Sequence, residues 1–116
     1  MNKFKNLKIW SRAVELATKI YKVTQLLPEE EKYGLKAQMR RCVVSIGSNI
    51  AEGAGRGSNK EFAHFLNIAY GSSCELETQL IIAKNLRFIS QETTQKLIDD
   101  LNELQKMTFS FAKRLS

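Results

Sequence analysis

From Arg40 to Phe65 the chain reads RRCVVSIGSNIAEGAGRGSNKEFAHF, and no other stretch restricts the possible folds as strongly. Gly53, Gly55 and Gly57 interrupt a helical pattern, as expected where a chain must turn with positive φ. Ser58-Asn59-Lys60-Glu61 then supplies the S-x-x-E capping box of a new helix, directly before Phe62, Phe65 and Leu66. One long helix ends here, the chain turns a corner, and a second begins.

Apart from this corner, the main break is Pro28, the only proline. No stretch alternates with period two, whereas helical spacing recurs throughout, so the sequence predicts four helices and no sheet. The first spans about 7–26. Trp10, Val14, Ala17, Tyr21 and Thr24 form its stripe, widened by Ala13 and Ile20, with Ile9, Leu16 and Val23 about 100° away. Leu27-Pro28 ends it. Glu29, Glu30 and Glu31 suit the positive end of a second helix, about 30–52, whose core stripe is Leu35, Met39, Cys42, Val43, Ile46 and Ile50. The third, about 58–88, carries Phe62, Phe65, Leu66, Ala69, Ser73, Leu76, Leu80, Ala83 and Leu86 on its core face. The fourth, about 91–115 with Ser90 as N-cap, has a seam of Leu97, Leu101, Leu104, Thr108, Phe111 and Leu115. Short connections between four such helices predict an all-α, antiparallel up-down-up-down bundle, one domain over residues 1–116.

Two helices carry more apolar surface than one bundle buries. The lines Ile9, Leu16, Val23 and Tyr70, Cys74, Ile81, Phe88 are expected to meet another copy of the protein. Gly71, in mid-helix, is either tolerated at about 1 kcal/mol relative to Ala or admits a neighbouring backbone. A polar row, Gln38, Ser45, Asn49 and Glu52, borders the core stripe of the second helix. It is solvated, or belongs to an inter-helix or inter-subunit hydrogen-bond network, or lines a ligand site. Arg41 and Glu75 fall level with it and are expected to pair.

No apolar run reaches the roughly 18 residues of a membrane span, and the basic N-terminus lacks an h-region, so the expected location is the cytoplasm. The two cysteines lack metal or redox spacing and read as reduced, small apolar residues. Glu61-Phe62-Ala63-His64 matches E-x-x-H, but the chain has a single such motif and Glu61 already caps a helix; no metal is expected. The glycine-rich corner follows no strand and lacks G-K-[ST], which excludes a P-loop. With one histidine, no nucleophile-and-base arrangement can be assembled, so neither catalysis nor a cofactor is expected.

What remains is charge. The net charge is +6, and residues 1–60 hold 12 Lys and Arg against 5 Asp and Glu. Lys5, Lys8, Arg12, Lys19 and Lys22 share the face of the first helix opposite its apolar stripe, and Lys36, Arg40, Arg56 and Lys60 extend the basic half. Such a surface attracts a polyanion, most often nucleic acid, or serves solubility alone. Arg56 has a further role, favoured here, of pairing with Glu52 across the turn. The aromatic residues fall on core stripes, so binding would run through phosphates rather than base stacking.

Gln38, Arg40-Arg41, Ser45-Ile46, Asn49-Ile50-Ala51-Glu52-Gly53, Gly55-Arg56, Ser58, Glu61-Phe62, Phe65-Leu66, Ile68-Ala69, Gly71-Ser72 and Glu75-Leu76 together resemble the four-helix-bundle proteins encoded in 23S ribosomal RNA intervening sequences. Leu7, Ile9-Trp10, Ala13, Pro28, Glu31 and Tyr33-Gly34-Leu35 extend the resemblance to about residues 4–90; Ala54 departs from it, standing where an aromatic is usual. The resemblance implies an antiparallel bundle assembled as a ring-shaped homopentamer. It also implies kinship with the accessory variability protein of diversity-generating retroelements, a basic pentamer that binds nucleic acid and a reverse transcriptase. The expectation is therefore a non-enzymatic, oligomeric bundle that binds RNA or DNA electrostatically. The alternative is a structural or adaptor module with a protein partner and no nucleic-acid role.

Overall fold

The computed structural model describes residues 3–116; Met1 and Asn2 lie outside the described residues. A 3-10 turn at Lys3–Asn6 leads into α1 (Lys8–Thr24), and a second at Glu29–Glu31 precedes α2 (Leu35–Ala54). The helices α3 (Asn59–Asn85) and α4 (Gln91–Leu115) complete an all-α bundle, with no strand among the described residues. Contacts run α1–α2, α2–α3, α3–α4 and α4–α1 with no diagonal pair, so the four helices form a closed square with extents of 43 × 22 × 19 Å.

The core holds Ile20, Met39, Val43, Ile46, Ile50, Leu66, Leu76, Leu80 and Leu101, each fully or almost fully buried. Each side chain of this size contributes roughly 1.5–3 kcal/mol by leaving water. In α1 the buried line is Ile9, Ala13, Leu16, Ile20 and Thr24. Ile9 and Leu16, expected at an interface between copies, are thus core residues at 3% exposure each, and Val23 packs half-buried against the core. Trp10, Val14, Ala17 and Tyr21 instead line an open groove toward α2. Both lines are apolar at helical spacing, and periodicity alone does not say which one turns inward.

The breaks also differ from expectation, for local reasons. The helix α2 starts at Leu35, where the Glu31 carboxylate accepts the Leu35 N–H at 2.9 Å and so caps it. Gly34 makes room for that carboxylate, since a Cβ there would meet Glu31 Oε1 at 2.8 Å. At the corner no glycine has positive φ: α2 continues through Gly53 to Ala54 and its C-cap Gly55 keeps φ at −84°. Gly53 serves close packing instead, because a Cβ there would sit 2.7 Å from Phe65 Cβ. Ser58 caps α3 by accepting the Glu61 N–H at 3.2 Å. Gly71 has open space around it and admits no neighbour. The end of α3 comes at Asn85, three residues before the expected Phe88, leaving Leu86 54% exposed while Ile89 closes the core.

Candidate nucleic-acid interface

Antiparallel packing brings three separate stretches to one end of the bundle. These are the entry to α1, the α2–α3 corner, and the C-terminal turns of α4. The rings of Phe62 and Phe111 meet there at 5.3 Å, tying α3's first turn to α4's last. Residues 5–12, 52–62 and 106–116 hold the cations Lys5, Lys8, Arg12, Arg56, Lys60, Lys106, Lys113 and Arg114, against only Glu52 and Glu61. Lys8, Lys106 and Arg114 line one crevice of about 440 Å³ between α1 and α4, with Ile9, Met107, Ser110 and Phe111 and no acidic residue. Lys8 and Arg12 are four residues apart and share a face of α1. Arg114 lies over the Phe111 ring at 5.3 Å and Lys113 over the Phe109 ring at 5.5 Å, so aromatic faces hold both cations in place.

The expected basic residues divide by what they touch. Lys5, Lys8, Lys22 and Lys60 are exposed, and Arg12 and Lys36 are half-buried. Lys19 pairs with Asp100 at 2.8 Å, and that hydrogen bond, with the Asp100 charge, raises its pKa. Arg40 donates to Thr24 Oγ1 at 2.9 Å and to the Tyr21 carbonyl at 3.0 Å, closing the C-terminus of α1. Arg56 pairs with Glu52 at 2.8 Å and covers the Phe65 ring. Lys106 and Arg114, which line the crevice, are not among the basic residues expected from the sequence, because the cations weighed there lie in residues 1–60. Their spacing with Ser110 (i, i+4, i+8) was visible, but their neighbour Lys8 becomes visible only once α1 meets α4.

On the other side of the molecule a polar pocket of about 210 Å³ opens between α2 and α3, lined by Gln38, Arg41, Cys42, Ser45, Ser72, Glu75 and Gln79. Ser45 and Ser72 hydroxyls share a hydrogen bond of 3.0 Å across the two helices, and Asn49 Nδ2 donates to the Ser45 carbonyl and hydroxyl at 2.8 and 2.9 Å. Part of the polar row is therefore an inter-helix network, while Gln38 is exposed and Glu52 belongs to the corner. Arg41 and Glu75 both line this pocket but form no ion pair with each other. Gln79 Nε2 donates to Cys42 Sγ at 3.4 Å, and burial pushes the Cys42 thiol pKa up; the Gln79 hydrogen bond opposes this and the Glu75 charge adds to it. Ser72 and Gln79, seven residues apart on α3, lie outside the core face and the polar row expected from the sequence; their role follows from packing against α2.

Of the remaining interface candidates, Cys74 and Ile81 are exposed, Phe88 packs against the core, and Tyr70 is half-buried against the Phe109 ring at 5.8 Å. Among the described residues no group of three His, Cys, Asp or Glu is placed to hold a metal, and no helix is long and apolar enough to cross a membrane. His64 is exposed, with its ring edge against Phe65.

A solved structure from Bacteroides thetaiotaomicron, of a protein of unknown function from the S23 ribosomal protein family, superposes with a TM-score of 0.84. The two chains are 27% identical, over 90% of this chain and 98% of that one. No functionally curated protein matches the chain. The 23S rRNA-intervening sequence protein model matches residues 5–110, almost the whole bundle, and the chain belongs to that family.

Proposed function

We propose that the protein is a non-enzymatic, oligomeric bundle that binds RNA or DNA electrostatically through the basic end built by Lys5, Lys8, Arg12, Lys60, Lys106 and Arg114. The observation that carries this reading is the α1–α4 crevice, where Lys8, Lys106 and Arg114 converge without an acidic residue. Cations gathered on one surface release counterions from a phosphate backbone, which favours binding without reading sequence. The test is fluorescence anisotropy of labelled duplex RNA and DNA against the wild type and a Lys8→Gln/Arg12→Gln/Lys106→Gln/Arg114→Gln variant. Binding at low salt that falls steeply with added salt, and is weakened about tenfold or more in the variant, is the expected result. Absence of binding at about 50 mM salt, or equal binding by the variant, contradicts it.

The assembly in this proposal is the homopentameric ring implied by the family resemblance. A ring needs two different patches on each copy. An apolar groove of about 680 Å³ between α1 and α2, with Val14, Tyr21 and Val44 exposed, supports one; Tyr70, Cys74, Ile81 and Phe109 on the α3–α4 side support the other. The two faces are opposite each other in the square of helices, so the basic ends gather on one rim and act together. A second reading has the same groove accept an amphipathic helix of a protein partner, such as the reverse transcriptase implied by the resemblance. Its open, apolar walls favour that alternative, and a groove variant that stays oligomeric would support it.

A further inference from the structure

The α2–α3 pocket is set apart from the rest of the surface by a buried polar group with nothing to bind. Gln79 is only 7% exposed, and while its Nε2 is bonded to Cys42, its Oε1 has no hydrogen-bond partner. A buried carbonyl oxygen left open is costly, and native interiors seldom keep one without a guest or ordered water. Above it, the Ser45 and Ser72 hydroxyls use one proton in their mutual bond and retain a second for another acceptor. At the mouth stand a guanidinium, Arg41, and a carboxylate, Glu75, exposed and not paired with each other.

Size and charge limit the guest. A volume of about 210 Å³ is below the roughly 300–1,000 Å³ of pockets that take nucleotide- or drug-sized ligands. It equals the liquid volume of about seven waters at about 30 Å³ each. A mouth with one positive and one negative group is matched by a molecule carrying both signs. We propose that this pocket binds a small zwitterion of free amino-acid size, with its carboxylate toward Arg41, its ammonium toward Glu75 and one N–H reaching Gln79 Oε1. The site is separate from the basic end and does not depend on nucleic-acid binding.

Saturation-transfer NMR with pools of the standard L-amino acids at millimolar concentration tests this on the wild-type protein. N-acetyl amino-acid amides, which lack both charges, serve as the control. At least one free amino acid is expected to bind with a Kd below about 1 mM, and its neutral derivative about tenfold more weakly or not at all. Arg41→Gln and Glu75→Gln, both at exposed positions, are expected to fold with an unchanged thermal midpoint and each to lose about tenfold in affinity. No binding from any pool, the result if the pocket holds only water, overturns the proposal. So does equal binding of the neutral derivatives, or full binding by the two charge variants.

Discussion

Arg87 closes α3 in the left-handed region, at φ 65°, and is the only described residue other than glycine with positive φ. Around it the hydrogen bonds are those of a Schellman motif: the Phe88 N–H reaches the Ala83 carbonyl and the Arg87 N–H the Lys84 carbonyl, both at 2.9 Å. An L-residue held there costs about 1–2 kcal/mol, so Arg87→Gly is expected to stabilise the protein by about 1 kcal/mol in urea unfolding. Two of the glycines inside helices have opposite expected responses. Gly53→Ala pushes a methyl into Phe65 and should destabilise by about 1–3 kcal/mol, whereas Gly71→Ala, into open space, should stabilise by about 1 kcal/mol. The same unfolding series checks both. Cys42 adds a pH dependence. Its folded pKa lies above the ordinary 9.0, so as pH rises through that value the unfolded chain loses the proton first and stability falls; below it the group adds no slope. Unfolding free energies of the wild type should drop more than those of Cys42→Ala between about pH 8 and about pH 10.

The helices themselves were legible, because four long stretches of 3.6-residue spacing leave little else for the chain to form. Their orientation was less so, and α1 shows why. Its two apolar lines differ little in side-chain size, and only the positions of α2 and α4 decide that Ile9, Leu16 and Ile20 face inward while Val14 and Tyr21 face a groove. Leu16→Ala should therefore cost about 2–5 kcal/mol of stability, against less than about 1 kcal/mol for Val14→Ala. Chemical denaturation of the pair checks the assignment. The corner between α2 and α3 was read correctly as a capped turn and as an Arg56–Glu52 ion pair, yet its glycines were assigned to positive φ. Gly53 is needed for a close approach by Phe65, a cross-helix fact without a local signature. The candidate site was legible in part for the same reason. Lys8 and Arg12 stood out on one helix, whereas Lys106, Arg114, Ser72 and Gln79 gained meaning from neighbours distant in sequence.

At the scale of the whole molecule the bundle is polar along its length. Cations dominate the end where α1 begins and α4 finishes, whereas at the other end Glu29, Glu30, Glu31 and Glu92 are interspersed with Lys22, Lys32, Lys36, Lys84, Arg87 and Lys96. Gathering cations at one end raises the local potential far more than a net charge of +6 spread evenly would, and the ring proposed above would multiply it on one rim. The proposed ring closure through opposite faces predicts that Val14→Glu and Ile81→Glu each abolish the assembly. An equimolar mixture of the two should form dimers through the one intact pairing of groove and ridge, which size-exclusion chromatography with light scattering can check. Sedimentation velocity of the wild-type protein with labelled duplex RNA, at about 50 mM and about 200 mM salt, tests both halves of the account at once. The expected result is RNA moving with a five-copy particle at the lower salt and largely released at the higher. A monomeric protein, or RNA that sediments alone at the lower salt, would contradict it.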